Sequence, residues 1–398
     1  MKLQANELAC LGGAPAFAEP LHVAQLNLPP WERVEATFRH LFARRQYANH
    51  GPLVRELEQR FARLLGVEHA ICVVNGTVAL MLLARALELK GEVIVPAFSF
   101  PATVQAVSWA GLTPVLCDVD PDTHSLGPKG VAARIGPATV GILGVHLWGR
   151  ACAPGPLAEL ADRQGLALFF DACHGIACAH GGRWLGNFGA GEAFSFHATK
   201  VINGMEGGCV TTNDARLAAR LRTLRSFHDG ETFCDAAPRM NAKMSEAQAA
   251  MALLSLDELP DNLAANRRRH AAYRACLGDI PGIRVLEYGD ADPHNHQYVV
   301  LDVDAAAAGL SRDALFELLE MENVLCRRYF HPPLHRLHTY RAGYDPRDFP
   351  VTEHLSTRLM QLPSGQAVGP ANVERVCGLI RLIQAHGPEL KKRRMGTS

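Results

Sequence analysis

The spacing of apolar residues changes repeatedly along the first 260 residues of the chain. Short runs that are apolar at nearly every position predict strands buried on both faces. Stretches with an apolar residue at every third or fourth position predict helices that bury one face. The predicted strands cover residues 69–74, 92–96, 113–119, 139–145 and 166–171. Strands that alternate with helices predict an α/β fold with a mainly parallel sheet covered on both faces.

The same alternation continues, with fewer elements, toward the C-terminus. Pro260 is expected to end a helix and to mark the boundary between two domains. We expect a large domain over residues 1–260, which begins with an extended arm over residues 1–30, and a smaller C-terminal α/β domain over residues 261–398. The predicted helices cover residues 31–45, 53–64, 77–89, 101–109, 244–259, 267–277, 312–322 and 372–386. In the C-terminal part, one strand is predicted over residues 298–303 and another is predicted to begin at residue 324.

Composition narrows the class of protein. The 398 residues are 48% hydrophobic, and 40 basic side chains balance 40 acidic ones, which gives no bulk charge for a nucleic-acid or membrane-surface partner. No apolar stretch is long enough to span a membrane, and no signal-peptide pattern opens the chain. The 11 cysteines include no Cys-x-x-Cys pair, so we expect a soluble cytoplasmic protein with buried thiols. The 18 histidines show no metal-ligand spacing, and we expect no metal.

Polar residues stand at the ends of three predicted secondary-structure elements, and together they suit the binding of one kind of cofactor. Asp171 ends a strand, Lys200 follows a short apolar run, and Gly76 and Thr77 begin a helix. Ligands collect beyond the carboxyl ends of parallel strands. There an acid can pair with a pyridine nitrogen, a desolvated lysine can form an imine, and a helix N-terminus can bind a phosphate. The combination indicates pyridoxal phosphate (PLP), whereas the alternatives are a surface lysine and a carboxylate that only caps a helix.

The sequence around these positions resembles a known family. The residues that carry the resemblance are Asp171, His174, Ser195, Lys200 and Glu206-Gly207-Gly208. They are similar to the DegT/StrS family of PLP-dependent sugar aminotransferases, and the similarity extends over nearly the whole chain. The resemblance implies the fold type I of PLP-dependent transferases, a homodimer with active sites shared at the subunit interface, and L-glutamate as the amino donor.

The resemblance also implies roles at the centre of the site. Lys200 would bind the cofactor as a Schiff base and move the proton during transamination. Relatives that remove a hydroxyl carry histidine at this position, so the lysine favours transamination over a sugar dehydratase or deoxygenase. Asp171 would keep the pyridine nitrogen protonated. His174 would hydrogen-bond the phenolic oxygen of the cofactor or merely close a turn, and Phe100, or alternatively Phe98, would stack on the pyridine ring.

Four residues are expected at the cofactor phosphate. Gly76 and Thr77 would offer backbone amides, and Thr77 also a hydroxyl, at the start of a helix. Ser195 would add a further contact. Asn241 matches the position from which family members reach the phosphate bound in the partner subunit, and the alternative is an asparagine that only caps the next helix.

Two groups of residues are candidates for substrate binding. His146 and Trp148 follow a predicted strand and would line a sugar pocket, with ordinary packing as the alternative. The second group is a basic-aromatic cluster of Arg327, Arg328, Tyr329 and His331. Arginines suit a diphosphate and aromatic rings suit a sugar, whereas the alternative is a solvated strand.

Two further segments resemble one branch of the family. Gln297-Tyr298-Val299-Val300 and Arg327-Arg328-Tyr329-Phe330 are similar to enzymes that aminate nucleotide-linked 4-keto-6-deoxyhexoses at C4, most like those that use dTDP-4-keto-6-deoxyglucose. His331-Pro332-Pro333 departs from the pattern of that group, and amination at C3 is the alternative. A PLP-binding regulator without turnover is a more distant alternative, which the presence of both Lys200 and Asp171 disfavours.

Overall fold

The computed structural model describes residues 2, 4–23, 27–227, 239–387 and 390. Within these residues, the two largest sheets have seven and three strands. The strands are β1 (Leu21–His22), β2 (His69–Val73), β3 (Glu92–Pro96), β4 (Thr113–Cys117), β5 (Thr139–Val145), β6 (Ala167–Asp171), β7 (Ala179–His180), β8 (Arg183–Trp184), β9 (Glu192–Ser195), β10 (Gly208–Thr212), β11 (Ile283–Val285), β12 (Val300–Val303), β13 (Val324–Leu325) and β14 (Leu359–Gln361). The α-helices are α1 (Trp31–Arg44), α2 (Pro52–Leu65), α3 (Gly76–Ala86), α4 (Pro101–Trp109), α5 (Pro128–Ala132), α6 (Pro154–Gln164), α7 (Ala215–Arg225), α8 (Glu246–Asp257), α9 (Leu259–Leu277), α10 (Ala305–Ala308), α11 (Arg312–Met321), α12 (Pro350–Arg358) and α13 (Pro370–Ala385). No helix in the described ranges combines the length and the apolar composition that a membrane crossing needs.

The seven-stranded sheet confirms the predicted mainly parallel architecture. Its order is β2-β10-β9-β6-β5-β3-β4, and only β10 runs antiparallel to its neighbours, β2 and β9. Successive residues of β2 enter different apolar clusters: Ile71 packs in the cluster that contains α3, and Cys72 packs in the cluster that contains α2. Because side chains alternate between the faces of a strand, helices cover both faces of this sheet.

The C-terminal part of the chain contains the three-stranded sheet. Its strands are all antiparallel, in the order β11-β12-β14. The N-terminal arm packs against this part, since β1 pairs with β13 and the side chains of Leu8 and Phe17 share one apolar cluster with Leu301 of β12. The arm thus contacts the C-terminal part, although the predicted division at residue 260 groups it with the large domain; that division stays a prediction.

Pro260 does not end a helix, contrary to the sequence prediction. Helix α8 ends at Asp257, and α9 begins at Leu259 with Pro260 in its first turn. Proline fits this position because the first N–H groups of a helix have no intrahelical acceptor. The helix predicted over residues 267–277 therefore begins eight residues earlier than expected, at Leu259, and the proline belongs to its first turn.

Candidate active site

A cavity of 490 Å³ lies at the carboxyl ends of β2, β5, β6 and β9, where residues of the C-terminal part also reach it. Nine of the residues predicted from the sequence line it: Gly76, Thr77, Phe100, Asp171, His174, Ser195, Lys200, Arg327 and Tyr329. The first seven converge because the strands that precede them end at one edge of the sheet.

The carboxylate of Asp171 is held by two hydrogen bonds. The hydroxyl of Thr103 donates to Oδ2 at 2.8 Å, and the backbone N–H of Cys173 donates to Oδ1 at 3.0 Å. The hydroxyl oxygens of Ser99 and Thr103 lie 2.9 Å apart. Asp171 is 6% exposed, so this network of buried groups sets the direction in which its carboxylate points.

Lys200 lies in an environment that disfavours its ammonium form. Burial lowers the pKa of Lys200, and the nearby Cys173 and Asp171 only partly oppose this shift. The Nζ of Lys200 donates a hydrogen bond to the phenol oxygen of Tyr298 at 3.1 Å. Burial raises the pKa of Tyr298 well above its usual value, so the phenol keeps its proton. A lysine in these surroundings can present a neutral, nucleophilic amine.

His174 presents a defined tautomer. The backbone N–H of Trp148 donates to Nδ1 at 3.3 Å, so the proton of the neutral ring lies on Nε2. Burial, together with the charge of Lys200, lowers the pKa of His174 well below its usual value. The ring centroid lies 4.2 Å from that of Tyr298. His174 therefore has an Nε2–H group to donate and stays neutral near pH 7.

The N-terminus of α3 forms one wall of the cavity. The Asn75 side chain caps this helix by accepting from the backbone N–H of Val78 at 2.8 Å. A Cβ on Gly76 would lie 2.8 Å from the Cβ of Ser195, so only glycine lets the two backbones approach this closely. The remaining N–H groups at the start of α3 favour an anion.

The two candidate stacking residues have different surroundings. Phe100 lines the cavity and is 52% exposed, whereas Phe98 is fully buried with its ring edge-on to Phe330, at a centroid distance of 5.2 Å. Phe100 therefore has a free face, and Phe98 does not. The cavity thus brings together an aromatic ring, a carboxylate, a desolvated lysine and a helix N-terminus, a set of groups that fits PLP.

Comparison with known proteins identifies the family. Residues 32–381 match the model of the DegT/DnrJ/EryC1/StrS aminotransferase family. The chain belongs to this family. It is 31% identical to the dTDP-4-amino-4,6-dideoxy-D-glucose transaminase of Shigella dysenteriae over 92% of this chain and 100% of that protein. It is 33% identical to the GDP-perosamine synthase of Caulobacter vibrioides over 82% of this chain and 88% of that protein.

A solved structure agrees with this assignment. The crystal structure of DesI, determined in the presence of its TDP-sugar product, matches with a TM-score of 0.94 and 46% identity, over 98% of this chain and 99% of that one. The chain is therefore a PLP-dependent sugar aminotransferase of fold type I, and the predictions of family, fold, cofactor and reaction class are confirmed.

Two residues predicted to line the sugar pocket of this aminotransferase lie behind the cavity instead. His146 is fully buried, with Nε2 3.0 Å from Glu192 Oε2 and its ring stacked on Phe170 at 4.6 Å. Trp148 is also fully buried and stacks on Phe330 at 5.7 Å. Both side chains pack in the interior, as the packing alternative expects. Their predicted contact with sugar stays a prediction.

Three further predicted residues lie outside the cavity of this chain. Arg328 pairs with Asp313 at 3.1 Å, and its guanidinium lies over the ring of Phe316, so it is not directed to the cavity. His331 is exposed beside it and is likewise absent from the cavity wall. Asn241 is exposed, and its side-chain oxygen accepts from Lys243 at 2.7 Å. The predicted substrate roles of Arg328 and His331 stay predictions, as does the role of Asn241 in a partner's site.

Sequence reasoning assigned no role to three residues that the fold brings to the site. Tyr298 contacts Lys200, Thr103 contacts Asp171, and Gln361 lines the cavity. Tyr298 was visible only as part of the family resemblance, and no motif pointed to the other two. Among the described residues, no group of three or more His, Cys, Asp or Glu side chains is arranged to hold a metal ion.

Proposed function

We propose that this aminotransferase moves the amino group of L-glutamate to the C4 ketone of a dTDP-linked 4-keto-6-deoxyhexose. The observation that carries the reaction class is the meeting of Lys200 and Asp171 in one cavity. The similar enzymes support a nucleotide-linked deoxyhexose as the substrate. The name of the Shigella enzyme and the TDP-sugar product of DesI further support amination at C4 and dTDP as the nucleotide carrier.

The residues around Lys200 are suited to proton transfer. Bound PLP supplies a pyridinium ring that stabilises negative charge on the carbon whose proton moves. Lys200 removes that proton and returns it, because its lowered pKa leaves a larger share of neutral amine. Tyr298 accepts a hydrogen bond from Nζ and limits where the amine can lie. Asp171, held by Thr103, keeps the proton on the ring nitrogen.

The other cofactor contacts follow from the donors that line the cavity. His174 would donate from Nε2 to the phenolic oxygen, since Nδ1 is already an acceptor. Phe100, whose side chain is exposed at the cavity, would cover one face of the ring. Gly76 and Thr77, at the N-terminus of α3, would hold the phosphate together with Ser195.

Arg327 and Tyr329 are the proposed contacts for the nucleotide sugar. Both line the cavity, and Nη1 of Arg327 donates to the phenol oxygen of Tyr329 at 3.2 Å. Arg327 is exposed to solvent, so its guanidinium can meet a diphosphate at the cavity mouth. The hydroxyl and ring of Tyr329 lie beside it for contact with a sugar.

Product analysis tests the proposed reaction. The enzyme is incubated with L-glutamate and dTDP-4-keto-6-deoxyglucose, and the product is identified by NMR. We expect an amine at C4, and no product from a Lys200→Ala variant, which loses the proton-transfer group. An amine at C3, or turnover only with the 3-keto isomer, would contradict the regiochemistry while leaving the reaction class intact. Loss of a hydroxyl without amine transfer would contradict the reaction class itself.

The active unit is proposed to be a homodimer in which Asn241 binds the phosphate in the partner's site. Asn241 is exposed and lies outside the cavity of its own chain, as this role requires. Two inactive variants, Lys200→Ala and Asn241→Asp, are mixed under conditions that exchange subunits. Each mixed dimer then holds one site with neither change, so we expect partial recovery of activity. No recovery after exchange has been verified by mass would show that each chain completes its own site.

A further inference from the structure

The side chain of Gln361 is buried at the cavity without a protein partner. Gln361 ends strand β14 and is 1% exposed. Neither Nε2 nor Oε1 forms a hydrogen bond with any described residue. Gln361 also belongs to the cavity wall. A buried carboxamide that lacks both of its hydrogen bonds is unfavourable, and a ligand in the cavity would satisfy it.

The backbone places Gln361 next to a cation. Its N–H donates to the carbonyl of Arg327 at 2.7 Å, and the N–H of Arg327 donates to the carbonyl of Gln361 at 3.1 Å. Residues that exchange both hydrogen bonds in an antiparallel pair direct their side chains to the same side. Arg327 and Gln361 both line the cavity. Together they offer guanidinium and amide N–H donors and one amide acceptor.

A transaminase must bind two different substrates in turn at one cavity. Under the proposed function, one substrate is an acidic amino acid, whose carboxylates need N–H donors. The other is a sugar, whose hydroxyls also need an acceptor. A fixed acceptor would repel the carboxylate, and a fixed cation would leave a sugar hydroxyl without an acceptor. A carboxamide can do both, because rotation by about 180° exchanges its N–H₂ and C=O groups.

We propose that Gln361 is a specificity-determining residue that serves both half-reactions, an inference that rests on the proposed function. In the first, its Nε2 donates with Arg327 to a carboxylate of the amino donor. In the second, its Oε1 accepts from a hydroxyl of the sugar. The side chain exchanges these roles by rotation of its amide, and the backbone pairing with Arg327 keeps its position unchanged.

Two substitutions separate the two roles. Gln361→Glu keeps an acceptor of the same shape but removes the donors and adds a negative charge. We expect it to weaken binding of glutarate, an unreactive dicarboxylate, to the holoenzyme by about 10- to 100-fold in calorimetry, because a donor is lost and like charges meet. The half-reaction with the nucleotide sugar should change by less than about threefold. Gln59→Glu, an exposed change of the same charge on α2, is the control and should affect neither measurement.

Gln361→Leu removes both roles and tests the structural alternative. We expect it to slow both half-reactions by about tenfold or more, while the unfolding temperature stays equal or rises, because an apolar side chain replaces an unsatisfied buried amide. A lowered unfolding temperature would assign Gln361 to structure and overturn the proposal. Unchanged glutarate affinity in Gln361→Glu, with a wild type that converts glutamate, would overturn this inference alone. A wild type that neither binds glutarate nor converts glutamate would overturn the proposed donor and this inference with it.

Discussion

The support that Thr103 gives to Asp171 can be tested with a nearly isosteric change. Thr103 is fully buried, and its hydroxyl donates to Asp171 Oδ2 at 2.8 Å. Thr103→Val keeps the shape of the side chain but removes the hydroxyl. The carboxylate then keeps the hydrogen bond from the backbone N–H of Cys173 at 3.0 Å and loses the group that directs its other oxygen. We expect weaker cofactor binding because Asp171 is then free to turn away from the ring nitrogen.

The size of the effect follows from the kind of bond that is lost. A hydrogen bond to a charged group contributes about 1.5–3 kcal/mol, and a buried partner left unpaired adds to the cost of its removal. At about 1.4 kcal/mol for each factor of ten, the affinity for PLP should fall by about 10- to 150-fold. Thr103→Ser retains a hydroxyl and should stay within about threefold of the wild type. Ser99→Ala removes only the neighbour of Thr103, whose oxygen lies 2.9 Å away, and should have a smaller effect.

The assay is titration of the cofactor-free protein with PLP, followed by visible absorbance, together with the rate of the half-reaction with glutamate. Thermal unfolding of each cofactor-free variant separates a local effect from a general loss of stability. Equal PLP affinity and equal half-reaction rate in Thr103→Val and in the wild type would refute the reasoning, because the hydroxyl would then have no part in holding Asp171. An equal loss in Thr103→Ser would also refute it, since that variant keeps the donor.

Two further predictions concern the close packing at the N-terminus of α3 and the stability of the protein at acidic pH. Gly76→Ala should lower the free energy of unfolding by about 1–3 kcal/mol and weaken phosphate binding, because the new Cβ would lie 2.8 Å from that of Ser195. Gly155→Ala is the control and should have no such cost, because nothing lies within 4 Å of its Cβ position. Equal urea midpoints for the two variants would contradict this. Burial lowers the pKa of His294 to about 3 and that of His296 to about 4, from an unfolded value of 6.5. The unfolded chain therefore binds more protons below pH 6.5, so stability should be full above that pH and fall toward pH 4, by up to about 1.4 kcal/mol per pH unit for each histidine. Urea unfolding from pH 7 to 4.5 measures this slope, and an unchanged slope in a double His-to-Asn variant would contradict it.

Much of the local secondary structure was predictable, because the burial of strands and helices gives their apolar residues a regular spacing along the sequence. Strands β2, β3 and β5 lie within one residue of their predicted bounds, since a strand covered on both faces is apolar along its length. Pro260 was assigned to the wrong helix, because a proline is compatible both with a helix that stops and with the first turn of the next one. The antiparallel direction of β10 was also not predicted, because the period of apolar residues does not encode the direction of a neighbouring strand.

The sequence by itself determined which residue types stand at the ends of parallel strands, and this was sufficient to bring Asp171 and Lys200 together. Tertiary structure alone decided which polar side chains face the cavity. Thr103 and Asp171 are 68 positions apart, and Gln361 meets Arg327 only because two separate chain segments pair. His146 also follows a strand, yet its ring packs into the interior beside Glu192. Whether a polar atom contacts water, protein or a ligand depends on the packing of elements that are distant in sequence. The local spacing of apolar residues carries no information on that packing.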